Sequence, residues 1–334
     1  MSGTAAEQAS GMPVDGNGST SRTLAFKIGV LLAVTNTAIG AAQPVLTRYA
    51  ALRLDPMLFC EGAVVVASLC TLPLLYVRGE LRYLTDRRYA GRLFLMAMSG
   101  TVATSLTLIY GLRHIDAVAG VILLQAEPVY SLILATMVVG ERPTGRQILA
   151  TLTILVGIGS VFWAGGGVFS PIYATLLIFL TPLFWQTAHV LGLRIMPPLT
   201  PVSITAGRFV YAAAVFTPVF LLFDRHAMGE LADPRLAAVV VVTGFLVYFL
   251  SALTWYGAIS RLSLSWTTAL VVPGVPLLSI SMAVAFLGER PTLRMVIGAL
   301  VAISGVLALV LGADPHRKHT APIEAAEAIH QPLS

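Results

Sequence analysis

The chain has 334 residues, 57% of them hydrophobic and only 11% charged, with a mean hydropathy of +0.84. Soluble domains carry about a quarter charged residues, so a water-soluble globular protein is excluded. The formal charge of +5 raises nucleic acid as a partner. The basic residues, however, stand singly in short segments between apolar runs, which fits orientation of helices against a membrane surface and no nucleic-acid face.

Taken in order, residues 1–24 are rich in Gly, Ser and Thr without an apolar period, and a disordered tail is expected there, as in the polar stretch 314–334. Between the tails, apolar runs of about 20 residues, the length a bilayer demands of a helix, follow one another. They predict an all-α polytopic membrane protein with ten transmembrane helices at 25–46, 57–77, 92–112, 118–139, 146–165, 171–192, 203–223, 236–257, 266–287 and 293–312. The first run is too long for a signal-peptide core. With the N-terminus inside, the cytoplasmic segments hold thirteen of the 21 Lys and Arg, the outer loops hold seven, and Arg208 lies within a span. Both termini are therefore expected in the cytoplasm. Cys60 and Cys70 fall ten positions apart on one predicted helix, a rise of ~15 Å that no disulfide bridges.

An internal repeat organises the spans. Leu54-Asp-Pro56, Gly62 and Pro73 recur 145 residues later as Leu199-Thr-Pro201, Gly207 and Pro218. Tyr110-Gly111 is echoed by Tyr256-Gly257, and Gly157 by Gly305. Gly140-Glu141-Arg142-Pro143-Thr144 returns as Gly288-Glu289-Arg290-Pro291-Thr292, each glycine twelve residues after a proline, Pro128 and Pro276. The expected units are 25–168 and 169–313, joined through Gly165-Gly166-Gly167, with five spans each. An odd number of spans inverts the second copy, a plan common among secondary transporters. The Gly-Glu motifs (Gly140, Glu141, Gly288, Glu289) read as structural turns, glycine closing one helix and proline opening the next. Thr144 and Gln147 have capping-box spacing. Ala150 with Gly157, and Gly298 with Gly305, place small residues nearly two turns apart, suited to close helix packing.

Two five-helix units, each with a proline in its fourth helix, the Gly-Glu-Arg-Pro-Thr motif and a glycine in the second half of the fifth helix, resemble the EamA-type permeases of the drug/metabolite transporter superfamily. The resemblance covers about residues 25–313. It implies ten transmembrane helices around a central cavity and secondary active export of a small metabolite, an amino acid or related compound, across a bacterial inner membrane. The family's frequent arginine early in the second helix stands here as Arg208 in the second half and as Ala63 in the first. Its Trp-Gly of the first helix appears as Ile39-Gly40 and Trp185-Gln186. A non-transporting receptor or scaffold on the same fold is the alternative. No phosphate loop, nucleophile elbow or zinc-helix pattern is present, so neither an enzyme nor a cofactor is expected, and no histidine–cysteine spacing suits a metal.

The candidate substrate-binding residues are the polar groups inside apolar spans. Glu127 lies near mid-membrane, where a carboxylate costs ~2.5–3.5 kcal/mol and persists mostly against a cavity or partner. It binds a cationic substrate group or carries a coupling proton, or else is a structural acid within the bundle. Pro128 frees a carbonyl one turn earlier, and Gln125 and Tyr130 flank it. Arg208 either binds a substrate carboxylate or snorkels to headgroups. Glu61 reads as an interface or gate charge. Asn36 and Gln43, with Trp185, Gln186 and His189, sit on repeat-related helices and either line the cavity or bond between helices. Trp255 and Tyr256 suit a substrate wall or an aromatic belt. The ninth helix carries Ser263, Ser265, Thr267 and Thr268, then Pro273-Gly-Val-Pro276, an interrupted helix without an acid, since Val275 takes the place of Glu127.

Overall fold

The computed structural model describes residues 16–134, 136–137, 143–163, 172–196, 198–262, 267, 271 and 273–311. The Gly165-Gly166-Gly167 joint, Gly140, Glu141 and Arg142, Ser263, Ser265 and Thr268, and residues 1–15 and 312–334 lie outside them. The described residues form helices and short connections with no strand among them. They are α1 (Gly16–Ala51), α2 (Pro56–Val77), α3 (Arg87–Leu112), α4 (Ala117–Leu134), α5 (Gly145–Trp163), α6 (Ile172–Leu193), α7 (Pro201–Phe223), α8 (Pro234–Ile259), α9 (Gly274–Leu287) and α10 (Leu293–Leu311). Among the described residues seven helices, α1 to α4 and α6 to α8, are long and apolar enough to cross a membrane. In α5, α9 and α10 the apolar stretches are shorter.

One expectation is corrected at the N-terminus. The disordered tail was to reach residue 24, yet α1 begins at Gly16. Lengthening an existing helix adds one hydrogen bond for each residue fixed, whereas nucleating a new one is costly, so α1 runs past its apolar segment.

Sequence signals set the other helix starts. Asp55 accepts from the amides of Met57 and Leu58, Thr200 from Ser203 and Asp233 from Arg235, each with a proline in the first turn. Thr144 and Gln147 close the capping box in both directions, at 2.8 and 3.3 Å. Two repeat-related helices contain π-helical segments, Met98–Ala103 in α3 and Thr243–Leu250 in α8. Large apolar side chains such as Val77, Leu222, Phe286 and Leu293 face outward; water would not tolerate so apolar a surface, and a bilayer requires it.

The halves pack by exchange. α2 lies on α7 and α5 on α10; α3 and α4 pack on α6, while α8 and α9 pack on α1. The α5–α10 contact is close because of glycine. A Cβ on Gly157 would stand 2.5 Å from the Ala302 nitrogen and 2.6 Å from the Gly298 carbonyl oxygen.

At one end of the bundle the second Gly-Glu motif does more than turn the chain. Gly288, at φ +68°, ends α9 in the left-handed region that glycine adopts without strain. Glu289 then reaches the other half, accepting from the amides of Ala117 (2.7 Å) and Val118 (2.9 Å) at the start of α4. Arg48 lies 3.9 Å from the same carboxylate, pairs with Asp116 at 3.1 Å and donates to the Leu112 carbonyl at 2.6 Å. Asp116 holds the N-cap position of α4, yet its side chain caps nothing; the carboxylate from the opposite half does so. Charged hydrogen bonds of this kind contribute about 1.5–3 kcal/mol. We therefore expect Glu289→Ala to lower the melting temperature in detergent by several degrees, Glu289→Gln by less, and Asp116→Ala hardly at all. Equal losses for Glu289→Ala and Asp116→Ala in a thermal melt would assign the cap wrongly.

Candidate functional site

Fourth helices in this chain are built to break. In α4 the amides of Gln125 and Ala126 bond three residues back, to Ile122 and Leu123, so the helix tightens there and restarts at Glu127. The tightening releases the Val121 carbonyl, and the Gln125 side chain takes it at 3.3 Å. Pro128, in the first turn of the restarted segment, has no N–H to give the Leu124 carbonyl its regular helical bond. Pro273 and Gly274 stand at the equivalent place before α9, which begins at Gly274 with Pro276 in its first turn.

The break opens on a central cavity of about 160 Å³. Its walls come from α1, α3, α4 and from α6, α7, α8 and α9, with Val271 beside them; among the described residues α2, α5 and α10 contribute none. Seven of the nine sequence-expected binding residues meet there: Asn36, Gln43, Gln125, Glu127, Trp185, His189 and Arg208. Glu127 accepts a 2.6 Å hydrogen bond from Gln186 Nε2. Asn36 donates to the Ser251 carbonyl (2.7 Å), the Ser251 hydroxyl and Thr254 (both 3.1 Å), tying α1 to α8. Arg208 does not snorkel. Its Nε donates to Thr101 Oγ1 at 2.9 Å and its Nη2 to the Gly100 carbonyl, both on the π-helical segment of α3. His189 stacks on Trp255 with centroids 4.8 Å apart.

Among the described residues, neither Glu127 nor Arg208 forms an ion pair: no carboxylate lies within 4 Å of Arg208 and no basic nitrogen within 4 Å of Glu127. At ~2.5–3.5 kcal/mol for each charge at mid-membrane, such groups are retained where they face a polar cavity. Four buried lining atoms also make no hydrogen bond within the protein: Gln125 Oε1, Trp185 Nε1, His189 Nδ1 and Trp255 Nε1.

Several expectations are corrected. Tyr130 does not share the cavity; it packs edge-on against Phe179 at 5.6 Å within the apolar core, on the side of α4 that meets α6. Tyr256 is fully buried behind the wall, against Gly192. Trp255 belongs to no aromatic belt, being 7% exposed and part of the cavity wall. Glu61 lies at the α2–α7 contact, where Thr217 donates to it at 2.6 Å. The equivalent Gly-Glu pair, Gly140 and Glu141, falls outside the described residues. Sequence reading missed Thr101, Thr104 and Ser105 of α3 and Tyr248 and Ser251 of α8, all lining residues. The available signal was a run of hydroxyl side chains inside two repeat-related apolar spans.

The EamA-like transporter family model matches the chain twice, over residues 27–170 and 172–311. A probable terminal-alkyne amino-acid exporter of Streptantibioticus cattleyicolor is 26% identical over 213 residues, 64% of this chain and 70% of that one. An uncharacterised protein of Pseudomonas aeruginosa is 30% identical over 202 residues, covering 60% of this chain and 67% of its own. An uncharacterised Bacillus subtilis transporter is 25% identical over 66% of this chain and 73% of its own. A crystal structure of a protein 15% identical shares the fold at a TM-score of 0.61, covering 85% of this chain and 97% of that one. Two matches that together span nearly all the helices, around one membrane-buried cavity, make this chain a member of the EamA-like transporter family.

Proposed function

We propose that the protein is a secondary active exporter of a small metabolite, an amino acid or a related compound. Two inverted five-helix repeats, 25–168 and 169–313, rock about the central cavity so that it opens to each side in turn. The ten helices cross a bacterial inner membrane with both termini in the cytoplasm, and Glu127 is the group that exchanges a coupling proton or holds a substrate cation. The observation that carries this reading is the composition of the cavity wall. Helices of both halves furnish it, the helix broken at Glu127 is part of it, and among the described residues none of the lining comes from α2, α5 or α10. An amino acid fits the similarity to the Streptantibioticus exporter and the presence of one acid and one base in the wall.

The test is a metabolite-resistance screen on overexpressing cells, followed by flux of the protecting compounds in proteoliposomes with and without a proton gradient. Export accelerated by an inward proton gradient is the expected result. A reconstituted protein that binds a compound and moves none across the bilayer would instead be a receptor or scaffold.

A further inference from the structure

The cavity has two chemically distinct poles. At one, Glu127 is held by Gln186, with Trp185 beside it and the unbonded Gln125 Oε1 on the same wall. The Gln125 oxygen left without a partner there is an acceptor. At the other pole the Arg208 guanidinium faces the cavity, fixed by Thr101 and Gly100 through Nε and Nη2. Within electrostatic range of it lies His189, stacked on Trp255, whose indole N–H is also unbonded. This pole offers donors.

Both poles line one cavity of about 160 Å³. Trp185 and His189 stand one turn from each other on α6, ~6 Å along the axis. The ammonium and carboxylate of an α-amino acid are both carried on the α-carbon, so a single small molecule presents both charges inside the cavity that Glu127 and Arg208 line. A neutral ligand leaves both charges uncompensated; a simple cation or anion leaves one. A zwitterion compensates both and supplies donors to Gln125 and acceptors to Trp255 and Arg208.

We propose that the cavity receives a small zwitterion, its carboxylate on Arg208 beside the His189–Trp255 stack and its ammonium on Glu127. Its side chain then lies along the apolar wall of Val247, Ala252 and Val275. This rests on the transport reading and assigns polarity to the substrate within it. Thr101 acts as a positioning residue, holding the guanidinium in place through Nε.

The test uses the full-length protein in lipid nanodiscs, titrated with the proteinogenic amino acids. The tightest is then compared with its methyl ester, which masks the carboxylate, and its N-acetyl derivative, which masks the ammonium. In the wild type both derivatives are expected to bind at least about tenfold more weakly, since each loses a charge-assisted contact. Arg208→Gln should weaken the parent amino acid and erase only the discrimination against the ester. Glu127→Gln should erase only the discrimination against the N-acetyl form. Thr101→Val should shift the ester ratio in the same direction as Arg208→Gln, by less, and serves if Arg208→Gln does not fold. This crossed pattern cannot come from general misfolding. Binding of no amino acid, an ester that binds as well as its parent, or uncrossed losses in folded variants would overturn the zwitterion while leaving export to be judged by flux. The crossed pattern without flux would keep the zwitterion and remove transport.

Discussion

Substituting Glu127 by glutamine is expected to abolish or uncouple export while leaving the protein folded and inserted. The side chains are nearly isosteric, and a glutamine oxygen can accept the same bond that Gln186 donates at 2.6 Å. What disappears is a group able to carry charge or exchange a proton. Because no basic nitrogen lies within 4 Å of Glu127 among the described residues, its removal leaves no stranded opposite charge, and stability should change little. Flux in proteoliposomes should fall at least tenfold, each factor of ten being about 1.4 kcal/mol of lost discrimination. If the variant exports at the wild-type rate with the same response to a proton gradient, Glu127 has no part in the mechanism.

The second large effect falls on folding. A valine at Gly157 is expected to force α5 and α10 apart, because the new Cβ meets backbone atoms of Gly298 and Ala302 at 2.5–2.6 Å. Backbone in a helix cannot swing aside as the end of a side chain can. Overpacking of this kind costs about 1–3 kcal/mol. Within a bilayer, where lipid tails are as apolar as leucine, close approach of small residues is a main source of helix association. Gly159, two residues on in the same helix, has nothing within 4 Å of its Cβ position, so valine there is the matched control. We expect Gly157→Val to reduce the monodisperse fraction and melting temperature sharply and Gly159→Val to leave both near wild type. Equal behaviour of the two variants in size-exclusion chromatography and thermal melts would show that the α5–α10 contact does not hold the halves together.

Both variants sit on features that one-dimensional reading reached, although unequally. The helix starts at Asp55-Pro56, Thr200-Pro201 and Thr144 were legible because capping is local: donor and acceptor lie within three residues. Paired small residues in α5 and α10 pointed to close packing because a helix returns nearly to the same face after two turns. Glu127 stood out because a carboxylate among apolar residues is costly wherever the chain takes it.

The convergence of side chains was less legible. Tyr130 and Tyr256 stand near cavity residues in sequence but face the core, while Thr101, Thr104, Ser105, Tyr248 and Ser251 reach the wall. Two π-helical segments, in α3 and α8, insert a residue into the turn. A single residue rotates the following face by about 100°, so a regular helical wheel points the wrong side chains inward. The Glu289 contact was hidden for a related reason. Its partners, the amides of Ala117 and Val118, lie about 170 residues away, and a backbone amide carries no sequence signature.

The opening features of composition, apolar run length and duplication thus determined by themselves that the chain lives in a membrane and is built of two similar units, because bilayer thickness and repeat spacing are written along the chain. Which polar groups face one another, and therefore that an unpaired acid and an unpaired base share one cavity, was decided only when the two halves packed. Helix rotation and the exchange of contacts between α1 and α6 and the opposite halves set those directions, and neither is encoded by spacing within a single helix.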